Sequence, residues 1–309
     1  MPIAITGGTG FAGRALLELT AEANQPVQAL ARKNRDLPQT RVDWIMGDLE
    51  DTKALDHMAA GTRAIIHVAG LTNTPDPDEF DRVNVDGTAN VIAAAKHAGV
   101  KRFVFVSSLS AREPHLSRYG ASKAAAEELV KASGLDWTIV RPPAVYGPRD
   151  VDMFELFRSA KWGFVPLPPR GASSIIHVQD LGKLLLALAG ASSSEAIGPA
   201  SKKIFEPDDG REGGWSHKEL AAAIGRAVGR GAVFAPHLPK TVLEGAARID
   251  RMLRGSRAKL TADRVGYMCH PNWVVRSDKA VPEAMWAPAI PGEVGLVQTA
   301  EWYRKEGWL

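Results

Sequence analysis

The sequence predicts an open, doubly wound α/β fold with a parallel sheet, followed by a smaller, mainly helical C-terminal domain. Short, continuous apolar runs alternate with stretches of helical spacing throughout the first half of the chain. A glycine-rich segment follows the first apolar run directly. After about residue 150, prolines interrupt the chain and helical stretches follow one another without a strand between each pair. Continuous apolar runs are typical of parallel strands that are buried on both faces and joined by crossover helices.

The elements follow from these two periodicities. The runs expected to form strands are 3–6, 27–31, 44–46, 64–68, 103–106 and 138–140, and the helical stretches between them include 12–23, 85–98 and 122–133. We place a cofactor-binding domain at 1–150 and a substrate-binding domain at 151–309, and we expect strands near 174–178 and 203–205 to rejoin the first sheet. Ser216 followed by Glu219 forms a capping box and predicts a helix through about Val228.

Composition excludes several classes of protein. The chain has 309 residues, with 38 basic and 35 acidic side chains, so its net charge of +3 gives no sign of a nucleic-acid partner. Cys269 is the only cysteine, and no Cys/His group has the spacing of a zinc site, so we expect neither a disulfide nor a metal. The chain has neither a signal-peptide pattern nor an apolar run of the roughly 18–20 residues that a membrane span needs, so we expect a cytoplasmic protein without a transmembrane segment.

The glycine-rich segment TGGTGFAG lies between the first expected strand and the first expected helix. Gly7, Gly10 and Gly13 have no Cβ, so the backbone can turn tightly and approach a pyrophosphate, and the free amide groups at the start of the helix can bind the anion. This position predicts a dinucleotide site in a Rossmann-type domain. The same turn also presents Thr9, Phe11 and Ala12 to the cofactor.

The second strand ends without the acidic residue that binds the ribose of NAD. That residue is expected about 20 positions beyond the glycine loop, where this chain has Arg32 and Lys33. A guanidinium group binds a 2′-phosphate with paired, charge-assisted hydrogen bonds, whereas a carboxylate would repel it. We therefore expect NADP(H) to be preferred, with NAD(H) left open as the second possibility.

A catalytic arrangement follows the fifth expected strand. Tyr119 and Lys123 form YGASK, and their spacing places both side chains on one face of a helix. A neighbouring ammonium group favours the phenolate form, which would let Tyr119 exchange a proton with an alcohol or a carbonyl. Ser108 ends the strand at the edge where parallel sheets bind ligands, so its hydroxyl can bind the same oxygen.

The order of these motifs resembles that of the extended short-chain dehydrogenase/reductase superfamily, the epimerase/dehydratase-like branch. The resemblance covers nearly the whole chain and rests on TGGTGFAG, GDLED, HVAG, NVDGTANVIAAAKHAGVKRFVFVSS, YGASK, RPPAVYGP and IIHVQDL. It implies that Tyr119 is the acid/base, that Lys123 also holds the nicotinamide ribose and that Ser108 orients the substrate oxygen. It further implies cofactor contacts at Asp48, Leu49, Ala69, Gly70, Pro142 and Val145.

Two departures from the family pattern bear on the substrate. Nucleotide-sugar members carry an Asn just before the VYG segment and an Arg ahead of the strand at IIHVQDL, where this chain has Ala144, Ser173 and Ser174. A small carbonyl or alcohol of low polarity is therefore expected. In pattern the chain is nearest to the hydroxysteroid dehydrogenase-like and respiratory complex I accessory-subunit-like members.

Three functions stay open at this level. The leading one is an NADPH-dependent oxidoreductase. An epimerase or dehydratase that recycles its bound cofactor, and a non-catalytic NADPH-binding subunit or sensor, are the alternatives. The resemblance is also compatible with a homodimer.

Arg248, Arg251, Arg254 and Arg257 recur every three residues. This spacing predicts a basic stripe on a helix, which is either a solvated face or a contact for an acidic substrate, an acidic partner or a membrane surface.

Overall fold

The structure, a computed structural model, describes residues 1–33, 41–190, 198–255 and 258–309. The strands are β1 Ile3–Thr6, β2 Val27–Ala31, β3 Val42–Met46, β4 Ala64–His67, β5 Arg102–Val106, β6 Asp136–Val140, β7 Ala144–Tyr146, β8 Ala172–Ser173, β9 Ile175–His177, β10 Lys203–Phe205, β11 Trp215–Ser216 and β12 Asn272–Trp273. The helices are α1 Phe11–Glu22, α2 Thr52–Ala59, α3 Asp78–Phe80, α4 Gly87–His97, α5 Arg118–Ala132, α6 Phe154–Lys161, α7 Val178–Leu188, α8 His217–Ala227, α9 Lys240–Arg254, α10 Ala262–Met268 and α11 Gly292–Lys305.

Seven strands form one parallel sheet in the order β10-β6-β5-β4-β1-β2-β3. The strand order reverses between β1 and β4, so the carboxyl ends of these two strands flank the crevice in which open α/β sheets bind their ligands. The predicted doubly wound Rossmann-type fold is thereby confirmed.

Both faces of the sheet are covered by helices, as continuous apolar strands require. Successive residues of a strand point to opposite faces, and Ile3 and Ile5 accordingly belong to one buried cluster while Ala4 belongs to the other. Helices α1 and α7 cover the first face, and α2, α4 and α5 cover the second.

Helix α5 begins four residues earlier than the periodicity predicts. The side chain of Ser117 accepts a hydrogen bond from the backbone N–H of Gly120 and so caps the helix. Asp263 of α10 accepts hydrogen bonds from the backbone N–H groups of Arg118 and Tyr119. This second cap explains the early start and ties the C-terminal part of the chain to the helix that carries Tyr119.

The second half of the chain departs from the sequence prediction at one strand. Lys203–Phe205 pairs with β6 at the edge of the large sheet. The strand expected near 174–178 forms at Ile175–His177, but it pairs with β7 in a separate two-stranded sheet. It cannot join the large sheet beside β6 because β10 occupies that position.

The remaining elements build a core of their own. Apolar residues of α6, α8 and α11 surround Tyr146 and Tyr303, both of which are fully buried. The capping box predicted at α8 is confirmed, because Ser216 and Glu219 each bind the other's backbone N–H. Within the described ranges, no helix is both long enough and apolar enough to cross a membrane, and no group of His, Cys, Asp and Glu side chains is arranged to hold a metal ion.

Candidate active site

The glycine loop turns tightly between β1 and α1. Gly7 has a φ of 75°, which favours glycine, and its carbonyl accepts a hydrogen bond of 3.0 Å from the N–H of Gly10. A Cβ on Gly13 would clash with the carbonyl of Gly7. A Cβ on Gly7 would lie 2.6 Å from the backbone nitrogen of Ala69, just after β4. The loop therefore needs glycine at both positions.

This loop forms a cradle that fits the pyrophosphate of a dinucleotide. Helix α1 starts at Phe11, directly after Gly10, and has no acidic side chain in its first turn. Its free N–H groups and the positive end of its dipole are available to an anion. The predicted contacts Thr9, Phe11 and Ala12 lie in the same turn.

The segment after β4 joins the glycine loop to Lys123. Ala69 packs against Gly7, and a Cβ on Gly70 would lie 3.6 Å from the Nζ of Lys123. Asn84 holds this segment by pairing with both backbone groups of Leu71, at 2.7 and 3.0 Å. The predicted contacts Ala69 and Gly70 therefore lie between the cradle and Lys123.

Ser108, Tyr119 and Lys123 come together beyond the carboxyl end of β5. Lys123 is buried on α5, and its ammonium group donates a 2.8 Å hydrogen bond to the carbonyl of Val106, the last residue of β5. The hydroxyls of Ser108 and Ser110 lie near the phenol of Tyr119 and lower its pKa. The Oγ atoms of these two serines are 2.6 Å apart. A carbonyl oxygen placed between Ser108 and Tyr119 would therefore receive two hydrogen bonds.

Burial is the main cause of the pKa shifts of Tyr119 and Lys123. It raises the pKa of the Tyr119 phenol above its ordinary value, and the hydroxyls of Ser108 and Ser110 oppose that rise. It lowers the pKa of Lys123 to about 8, while the carboxylate of Glu127 opposes the shift. Tyr119 is thus a protonated phenol at neutral pH, the state required of a proton donor.

Two aromatic rings flank Tyr119, and sequence reasoning missed both. Phe80 of α3 and Tyr267 of α10 each have their ring centroid 5.9 Å from that of Tyr119. Ser110 was missed as well, although the run of serines after β5 is a signal that could have found it. Tyr267 carries no such signal, since only the packing of α10 on α5 brings it to the site.

The other predicted cofactor residues lie around the same edge of the sheet. Arg32 and Lys33 are exposed directly after β2, the neighbour of β1. Asp48 follows β3 and accepts hydrogen bonds from two backbone N–H groups of its own turn.

Three further predicted contacts are placed by backbone contacts or packing. Leu49 packs against Gly87 at the start of α4. The carbonyl of Pro142 accepts a hydrogen bond from the N–H of Leu109, the residue after Ser108. Val145 belongs to β7 and packs against the first core.

A buried ionic cluster lies on α5 one turn after Lys123. Glu127, one turn after Lys123, accepts hydrogen bonds from the hydroxyl of Ser107 at 2.6 Å and from the guanidinium of Arg141 at 2.6 and 2.8 Å. The side chain of Glu127 is 1% exposed, so its charge depends on these partners. This cluster connects α5, the end of β5 and the end of β6.

Comparison with known proteins supports an NAD(P)H-binding domain and this fold. A family model described as NAD(P)H-binding matches residues 7–154. A ceramide reductase of Caulobacter vibrioides is 34% identical over 99% of this chain and 96% of that protein. A 2-alkyl-3-oxoalkanoate reductase of Stenotrophomonas maltophilia is 28% identical over 96% of this chain and 97% of that protein. The structure of MoeE5 in complex with UDP-glucose and NAD covers 99% of both chains with a TM-score of 0.74 at 23% identity, which supports the fold.

Proposed function

Because the chain belongs to the extended short-chain dehydrogenase/reductase family, we propose that it is an NADPH-dependent reductase of a ketone carried by a long-chain lipid. Its membership makes it an NAD(P)-dependent oxidoreductase. The cofactor preference, the catalytic residues and the lipid substrate are our proposal.

The observation that carries the proposal is the Tyr119 phenol lying near the hydroxyl of Ser108, on the helix that also carries the buried Lys123. The chemistry that a bound nicotinamide cofactor would supply is hydride transfer to the carbonyl carbon. Tyr119 donates its proton to the carbonyl oxygen, so that an alcohol forms, and the phenolate regains a proton from solvent. Ser108 orients the oxygen by a hydrogen bond, and Lys123 would hold the ribose from its place next to Gly70.

Three observations support an apolar, long-chain substrate. The full-length relatives carry names that specify a ceramide and a 2-alkyl-3-oxoalkanoate as the compounds reduced. Two aromatic rings, those of Phe80 and Tyr267, lie with their centroids 5.9 Å from that of Tyr119. At the positions where nucleotide-sugar members have Asn and Arg, Ala144 offers no polar side chain, and the hydroxyl of Ser174 donates to Asp208 at 2.7 Å.

The test is oxidation of NADPH in the presence of a long-chain 3-oxo amide and its short-chain analogue, with the alcohol product identified by mass spectrometry. Since each buried methylene contributes about 0.8 kcal/mol of transfer free energy, we expect kcat/KM to be at least about tenfold higher for the long chain. Equal kcat/KM for the two chain lengths would contradict a lipid substrate. Absence of turnover with either ketone, in protein that binds NADPH, would favour the epimerase or the non-catalytic alternative.

Arg32 is proposed to select the cofactor. Replacing Arg32 with alanine removes the guanidinium that would pair with the 2′-phosphate, so we expect kcat/KM for NADPH to fall by about 10- to 100-fold, with little change for NADH. The matched control is Arg226→Ala, which removes an exposed arginine from a surface pair with Glu293. A variant at Arg32 that still prefers NADPH as strongly as the parent would contradict this role.

A further inference from the structure

Helix α9 has an apolar face that points to solvent. Val242, Ala246, Ile249 and Leu253 recur at intervals of four, three and four residues, so they lie on one side of the helix. Val242 is 50% exposed, Ile249 59% and Leu253 80%, and the neighbouring Met252 is 85% exposed. We call these five residues the outer face of α9.

The opposite side of α9 packs on the helix that flanks the active site. Leu243 and Ala247 are buried against Val265 of α10. Two residues beyond Val265, Tyr267 contacts the ring of Tyr119. Helix α10 therefore lies between α9 and Tyr119.

The polar side of α9 is positively charged, and Arg248 borders the outer face next to Met252. Helix α9 contains four basic and two acidic residues. Lys240 pairs with Glu244 and Arg254 pairs with Asp250. Arg248 and Arg251 are exposed, and neither has an ionic partner in the part of the chain that the structure describes. Arg257, the last arginine of the predicted stripe, lies outside the described residues.

We propose that the outer face of α9 docks the protein on an anionic lipid surface and so brings the active site to a membrane-resident substrate. An exposed apolar helix face with an unpaired arginine at its edge and further arginines on the polar side is complementary to such a surface, where acyl chains and anionic headgroups lie next to each other. A helix of 15 residues spans about 22 Å, long enough to lie in the plane of the interface. The choice of a lipid surface over a protein partner rests in part on the proposed lipid substrate.

The test is flotation of the full chain with two kinds of vesicle, phosphatidylcholine alone and phosphatidylcholine with phosphatidylglycerol. We expect binding to the anionic vesicles, weakened by salt. Ile249→Glu with Leu253→Glu should lower the partition coefficient at least about tenfold, since the apolar contribution is lost. Arg248→Gln should lower the partition coefficient by about fivefold, because Arg248 borders the outer face.

The matched control is Val294→Glu with Val297→Glu on α11, where two valines are 48% and 42% exposed. This variant should bind the vesicles as the parent does. Binding of NADPH by each variant verifies that the fold is retained, because the substituted side chains are exposed.

Three results would overturn the docking proposal. The first is no flotation with anionic vesicles, and the second is equal flotation of the Ile249→Glu/Leu253→Glu variant and the parent. The third is a dimer in light scattering that this variant dissociates, which would assign the face to a second copy of the chain. Turnover of the long-chain 3-oxo amide, dispersed in detergent without vesicles, is measured separately. Flotation without turnover would refute the proposed function alone, and turnover without flotation would refute the docking alone.

Discussion

Replacing Tyr119 with phenylalanine is expected to lower the rate of ketone reduction by about 10²- to 10⁴-fold, the usual contribution of a positioned proton donor. The dissociation constant for NADPH should stay within about twofold, because cofactor binding depends on the glycine loop and Lys123 rather than on this hydroxyl. Stopped-flow measurement of NADPH oxidation, together with fluorescence titration of NADPH, separates the two effects.

Tyr267→Phe is the matched control for this variant. It removes a phenol hydroxyl from the ring that contacts Tyr119 and leaves the ring in place, so we expect the rate to fall by less than about tenfold. The pH profile gives a second readout. Burial raises the pKa of Tyr119, so the proton donor stays protonated and reduction should fall only in the alkaline range. Retention of the parent rate by Tyr119→Phe would remove this residue from the mechanism.

Replacing Glu127 with alanine is expected to lower the free energy of unfolding by about 3–5 kcal/mol, the cost of breaking a buried ion pair from one side. The guanidinium of Arg141 would lose two charge-assisted hydrogen bonds, and the hydroxyl of Ser107 would lose its acceptor. The carboxylate of Glu127 also opposes the lowering of the pKa of Lys123. The pKa of Lys123 should therefore fall below about 8 in this variant. Urea unfolding gives the stability change.

Glu128→Ala is the control at the next position of α5. Its side chain is 73% exposed and, among the residues that the structure describes, pairs only with Lys131 at the surface. Its loss should therefore cost less than about 1 kcal/mol. Similar destabilisation by the two variants would show that Glu127 contributes no more than a surface carboxylate.

The parallel sheet and the glycine loop could be predicted because their signals are local. A strand buried on both faces is a continuous apolar run. Glycine is required at Gly7 by its positive φ and at Gly13 by contact with the carbonyl of Gly7 in the same turn. Tyr119 and Lys123 are four residues apart on one helix, so their proximity also follows from the sequence.

The second half could not be predicted to the same degree because its contacts join distant segments. Ile175–His177 reads as a strand, but its partner depends on β10 occupying the edge of the large sheet. Tyr267 meets Tyr119 only through the packing of α10 on α5. The spacing of the arginines predicted a basic stripe on a helix. Which apolar side chains of α9 stay exposed depends instead on which side of the helix packs on Val265.

The central claim is hydride transfer to a lipid ketone with net reduction, and deuterium labelling tests it most directly. The protein is incubated with NADPH that carries deuterium at the transferring position and with a long-chain 3-oxo amide, and the product is analysed by mass spectrometry. We predict an alcohol with one deuterium on the carbinol carbon, and oxidised cofactor in equal amount. An unlabelled product, or unchanged ketone in protein saturated with cofactor, would contradict the claim.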